Sequence, residues 1–150
     1  FKNKNIGIFG SMNISPSNKF KIYIPDPWTE VQSDKSFSSK MVTDAVKKVV
    51  NSNVNLIKGN IIDTLDNFLN EQQNSNINFI HIDVDTYPTT KFILEKTKNL
   101  MLKNSVIVFD ELHGRANWRN GEYKALIEVY EENEYEFISF SHEQAAVKIL

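Results

Sequence analysis

The sequence contains no cysteine, which excludes disulfides, thiolate zinc sites and a cysteine nucleophile. Only two of its 150 residues are arginine and the formal net charge is −2. The clustered Lys/Arg surface that a broad nucleic-acid footprint needs is therefore missing. No apolar run approaches the roughly 18–20 residues that would span a membrane. A secretory signal pattern is absent too, and the chain opens Phe1-Lys2-Asn3-Lys4 without an initiator methionine, so a cytoplasmic location and missing upstream residues are expected. What is present is ordinary: 41% apolar and 24% charged residues match globular proteins and argue against disorder. The length suits one α/β domain, able to bury about two-thirds of the surface of its unfolded chain. Abundant asparagine and lysine against scarce arginine reflect genomic base composition rather than function.

Short β-rich runs alternate with helical periodicity, the pattern of a parallel sheet with crossover helices. Ile6–Phe9 and Phe20–Ile24 read as strands, and Pro25-Asp26-Pro27 stops the second because proline donates no ladder bond. Ser36–Val50 reads as a helix with Phe37, Met41, Val42, Ala45, Val46, Val49 and Val50 on one stripe. Val54–Lys58 reads as a strand ending at Gly59, and Ile61, Ile62, Leu65, Phe68 and Leu69 trace a helix. Ile77–Val84 is the most strand-like stretch. Pro88 suits a first helical turn, where its missing N–H costs nothing, and that helix turns Ile93, Leu94, Thr97, Leu100 and Met101 inward. Ser105–Phe109 reads as a strand buried on both faces. Gly114–Gly121 is a loop, Tyr123, Leu126, Ile127 and Tyr130 mark a last helix, and Tyr135–Phe140 with Ala145–Leu150 form a hairpin across Ser141–Gln144. The strands near 54–58, 78–83 and 105–109 are expected to be parallel neighbours.

Ligands of open parallel sheets bind beyond the carboxyl ends of the strands. Two strands here end in carboxylates, Asp83-Val84-Asp85 and Asp110-Glu111. If these strands are neighbours their ends lie about 5 Å apart, so Asp83, Asp110 and Glu111 converge. Close carboxylates want protons or a cation, and all-oxygen ligation suits Mg²⁺, Ca²⁺ or Mn²⁺. The plainer alternative is solvated or helix-capping acids. Asp85 is expected to point away from Asp83 and to hydrogen-bond the Tyr87–Thr90 turn.

The residues His81-Ile82-Asp83-Val84-Asp85-Thr86-Tyr87, Thr89-Thr90-Lys91 and Val106-Ile107-Val108-Phe109-Asp110-Glu111 resemble the macrocin O-methyltransferase family. The likeness begins near Asn55-Leu56-Ile57-Lys58-Gly59 and Asp63-Thr64-Leu65. It continues through Trp118-Arg119-Asn120-Gly121-Glu122-Tyr123-Lys124-Ala125 and Ser141-His142-Glu143-Gln144-Ala145-Ala146. This resemblance implies a three-layer, Rossmann-like sheet, mostly parallel with an antiparallel carboxyl-terminal strand. It also implies methyl transfer from S-adenosylmethionine to a sugar hydroxyl, assisted by Mg²⁺ or another divalent cation. The matching metal ligands are Asp83, Asp110 and Glu111; the family often carries a second Asp where Glu111 stands. Asp83 would also accept the proton and border the cofactor, and Gly59 and Asn60 follow the strand whose end meets the adenine. Asn60 reads equally as a helix N-cap.

Residues 1–50 depart from that family. The only candidate for a glycine-rich cofactor turn is Gly7-Ile8-Phe9-Gly10-Ser11, which lacks closely spaced glycines, and this predicts weak S-adenosylmethionine binding. Ile6–Ser11, Ile24-Pro25-Asp26-Pro27-Trp28 and Asp34–Val50 faintly resemble a segment of alkaline-phosphatase-type phosphodiesterases, so an atypical or incomplete amino-terminal part, or a join near Asn51–Val54, is expected. His113 reads as a base or substrate contact, His81 as a core histidine and His142 as loop-stabilising. Arg115, Trp118 and Arg119 line a substrate cleft or merely anchor their loop, and Glu131-Glu132-Asn133-Glu134 is a solvated helix end. Two rivals stay open: a nucleotide-sugar glycosyltransferase reading Asp83-Val84-Asp85 as a metal-binding D-x-D, and a non-catalytic remnant of the fold. The expected partner is a sugar-like small molecule, without nucleic acid or membrane; a homo-oligomer remains open.

Overall fold

The computed structural model describes residues 5–10, 21–24, 56–72 and 75–150. Its strands are β1 (Asn5–Gly10), β2 (Lys21–Ile24), β3 (Leu56–Lys58), β4 (Ile77–Asp83), β5 (Met101–Phe109), β6 (Tyr135–Phe140) and β7 (Ala145–Ile149). Its helices are α1 (Ile61–Glu71), α2 (Tyr87–Thr97) and α3 (Glu122–Val129). The helix expected over Ser36–Val50 and the turn residue Ser11 lie outside the described residues.

The strands form one sheet in the order β3-β2-β1-β4-β5-β7-β6. β3, β2, β1, β4 and β5 run parallel, and β7 is antiparallel to both β5 and β6. The α/β architecture with an antiparallel carboxyl-terminal strand is as the sequence pattern predicts. One expectation is corrected. β4 and β5 are parallel neighbours, but β3 is not beside β4, because β1 and β2 are inserted between them. Strand order is decided by which edges pair across the whole chain, and hydropathy along one segment carries no information about it.

Each element follows from its own residues. Asn60 caps α1, its side-chain oxygen accepting from the Ile62 N–H at 3.1 Å. Gly59 precedes it at φ +142°, where a Cβ would stand 2.8 Å from Thr64 Cγ2, so this junction demands glycine. Pro88 occupies the first turn of α2, as expected.

In register, Ile80 faces Ile107 and Ile82 faces Phe109 across the β4–β5 ladder, which puts all four on one sheet face. They pack in one cluster with Leu65 of α1, Ile93 and Leu94 of α2, and Ala125 and Leu126 of α3. Each of the Ile, Leu and Phe side chains removed from water is worth about 2 kcal/mol, and this core is what anchors the strand ends. Ile62 and Ile127 lie on the outer faces of their helices instead. α3 buries Glu122, Ala125 and Leu126, so its inward stripe begins on a carboxyl group. Polar links tie the helix layer together: Lys96 to Asp66 at 2.7 Å between α2 and α1, and Tyr87 and Lys91 to Glu128 at 2.6 and 2.8 Å between α2 and α3. On β5, Val106 and Val108 are only half-buried, so the strand is fully covered on one face rather than two. No helix among the described residues is long and apolar enough to cross a membrane.

Candidate functional site

The parallel ladder runs one residue past β5, where the Asp110 N–H donates to the Ile82 carbonyl at 2.9 Å. Asp110 thus follows Phe109 beside Asp83, which itself follows Ile82. Neighbouring parallel strands are about 4.8 Å apart. The expected approach of Asp83 and Asp110 at one sheet edge is therefore present. On the other side of β4, Asp83 is in register with Gly10, the last residue of β1. From β1 the chain continues outward to β2 and β3, while β4 and β5 lie on its other flank. The β1–β4 boundary is thus the point where strand order reverses, the place at which open α/β sheets bind ligands.

His81 sits two residues before Asp83, with its Nε2 3.7 Å from Asp110 Oδ1. That nitrogen is buried and has no hydrogen-bond partner. His81 therefore faces the acidic edge rather than the apolar core.

Asp85 departs from the expectation that it bonds the Tyr87–Thr90 turn. β4 ends at Asp83, and Asp85 takes the left-handed conformation at φ 57°. The side chain meets Glu111 instead of that turn. When protonated, the Glu111 carboxyl donates to Asp85. The Tyr87–Thr90 turn is held by threonines, with Thr86 Oγ1 donating to Thr89 Oγ1 at 2.9 Å and Thr90 Oγ1 to the Thr86 carbonyl at 3.0 Å. Burial raises the Glu111 carboxyl above the usual carboxylate range, the Asp85 charge raises it further, and Arg115 opposes both. Asp85→Asn, which tolerates the left-handed backbone, should return the Glu111 titration toward its ordinary range in a carbon-detected NMR experiment. An unmoved Glu111 titration would refute the pairing.

Glu122 was not singled out by sequence reasoning. Its side chain is 1% exposed at the start of α3. Oε2 accepts the Glu111 N–H at 3.1 Å, while Oε1 is buried without a partner. Burial pushes this carboxyl up to about 8, helped by the charges of Glu111, Asp110 and Asp83. Glu122 is therefore a neutral acid at pH 7. The signal available in the sequence is its spacing of three and four residues from Ala125 and Leu126, on an apolar stripe where glutamate is out of place.

The acidic residues do not gather as a metal cage. Among the described residues, no group of three His, Asp or Glu side chains is placed to hold a metal ion. The physical reason is visible in their partners. Glu111 is drawn to Arg115, four residues along, and to Asp85. Asp110 Oδ1 accepts from the Gln144 side-chain amide. His113 is engaged by the β6–β7 turn: its N–H donates to the Glu143 carbonyl at 3.2 Å, its Nε2 lies 3.1 Å from the Gln144 carbonyl, and its ring stacks edge-on against Phe140. Gly59 and Asn60 stand at the junction of β3 and α1, with the Asn60 oxygen committed to its helix cap. Arg119 stacks on Trp118, which packs edge-on against Tyr123, so this pair anchors its loop.

A family described as a methyltransferase domain matches residues 9–112. The match runs across residues 51–54, where the sequence suggests a join. No curated protein sequence matches the chain. Three solved structures share the fold. CalS11, a TDP-rhamnose 3'-O-methyltransferase of calicheamicin biosynthesis, is 21% identical at a TM-score of 0.74, covering 98% of this chain and 72% of that one. An O-methyltransferase from Bacillus cereus in complex with SAH is 14% identical at a TM-score of 0.61, over 98% and 74%. The O-methyltransferase NovP is 13% identical at a TM-score of 0.62, over 88% and 61%.

Proposed function

The chain belongs to the methyltransferase-domain family, and from that premise we propose that it transfers a methyl group from S-adenosylmethionine to a hydroxyl oxygen of a sugar-like small molecule. The observation that carries the reading is the pairing of Gly10 with Asp83 at the point where strand order reverses. Gly10 has no Cβ, so a ligand can approach the strand-end backbone there. Asp83 stands directly beside it with a carboxylate.

When bound, S-adenosylmethionine supplies a methyl carbon made electrophilic by its sulfonium. Beside Gly10 and Asp83 the acceptor oxygen would take that methyl group, the sulfur keeping the electron pair of the bond it loses. Asp83 takes the hydroxyl proton, the role of a general base held within hydrogen-bond reach. Asp110 stands next to Asp83 across the ladder, with His81 Nε2 3.7 Å from Asp110 Oδ1. Asp110 and Glu111 are engaged by Gln144 and Arg115, so the donor set is not arranged for a cation and the proton transfer is assigned to Asp83 itself. The family match favours methyl transfer over a nucleotide-sugar glycosyltransferase, for which Asp83-Val84-Asp85 is the only signal.

The test joins calorimetry to a transfer assay. Titration with S-adenosylmethionine should give a dissociation constant in the high-micromolar range or weaker, because the sequence lacks closely spaced glycines after β1. Methyl-labelled S-adenosylmethionine should deliver label to free or nucleotide-linked sugars. Asp83→Asn should lower turnover about 100-fold or more. Absence of cofactor binding at millimolar concentration, or undiminished transfer by Asp83→Asn, would refute the reading.

A further inference from the structure

The antiparallel pairing of β5 with β7 sets Phe109 opposite Ala145, so the turn Ser141–Gln144 returns to the edge where β5 ends. The turn closes on itself through the Ser141 N–H and the Gln144 carbonyl at 2.9 Å. It then grips the loop after β5 at several points. His113 bonds the Glu143 and Gln144 carbonyls, Arg115 pairs with the Glu143 carboxylate, and the Gln144 amide nitrogen donates to Asp110 Oδ1. The approach is close enough that Gly114, at φ +86°, faces the His142 carbonyl with only 3.0 Å for a Cβ. A residue with a side chain would be strained there and crowded by main chain, which cannot give way.

We propose that Gln144 is a positioning residue for the methyl-transfer site, holding the Asp110 carboxylate beside Asp83 through its side-chain amide. The proposal rests on the reading of this edge as the reaction site. A neutral amide donor fixes one carboxylate oxygen without cancelling the charge, which a lysine or arginine in its place would do. Asp110 is thereby kept in one orientation next to the proton acceptor. A small loss of alignment at a reacting centre costs turnover rather than binding. Gln144 is itself exposed and adds little to the core, so its contribution is to orientation.

The experiment uses the full chain. Gln144→Ala should lower kcat about 10-fold or more, as expected for losing a hydrogen bond to a charged group, with KM for S-adenosylmethionine and the melting temperature nearly unchanged. His142→Ala removes a side chain that is 92% exposed in the same turn and should leave kcat at the wild-type value. Independently of activity, the Gln144 side-chain amide resonances should shift when Asp110→Ala removes their acceptor. An active protein whose kcat is untouched by Gln144→Ala overturns the proposal, as do amide resonances indifferent to Asp110→Ala. If the wild type transfers no methyl group, the functional reading fails, and the amide resonances alone then decide the contact.

Discussion

Glu122→Gln should remove a stability loss that the wild type suffers as pH rises from about 5 to 8.5. The Glu122 carboxyl titrates near its ordinary value of 4.5 in the unfolded chain and is pushed up to about 8 by burial in the fold. Between those two values the folded state holds a proton that the unfolded state has released. Folding stability therefore falls as pH rises, and the cost is fully present only above the folded value. At about 1.4 kcal/mol per pH unit, the penalty reaches on the order of 4 kcal/mol. Glutamine keeps an acceptor oxygen for the Glu111 N–H and does not titrate. Urea denaturation of both proteins across this range should show curves that separate toward alkaline pH, with the variant more stable. Parallel curves would refute the buried, neutral acid.

Phe109→Ala should cost about 3–5 kcal/mol, the range for deleting a buried aromatic ring from a packed core. Phe109 is 0% exposed and stands at the end of β5 among Ile82 and the helix layer. For a domain whose whole stability is about 5–15 kcal/mol, this is enough to lower the melting temperature by roughly 10 °C. The loss also reaches the site, since Asp110 follows directly and is held by its N–H to Ile82. Hydrogen exchange at Asp110 should speed up in step with the loss of stability. Ile127→Ala, on the outer face of α3 at 48% exposure, should change stability by about 0.5 kcal/mol or less. Equal effects of the two substitutions would contradict the packing described.

The periodic elements are legible in the residues. α1, β4, α2 and the β6–β7 hairpin appear where apolar spacing and turn chemistry indicate, because a helix or strand pattern is written within a dozen neighbouring residues. The strand-end pair of Asp83 and Asp110 was equally readable, since one β-α-β unit brings both to the same edge. The resemblance of residues 55–146 pointed to methyl transfer, and the family match supports the coarser part of that, a methyltransferase domain.

What the tertiary structure alone decides lies at longer range. The insertion of β1 and β2 between β3 and β4 depends on edge pairing across the chain, and it brings Gly10 beside Asp83. Asp85 adopts a left-handed backbone beyond the end of β4, and its side chain meets Glu111. Glu122 is buried because the loop after β5 folds over the start of α3, and Gln144 reaches Asp110 across 34 residues of sequence. Local hydropathy records which way a side chain prefers to face, whereas these contacts depend on which distant group the fold sets opposite it.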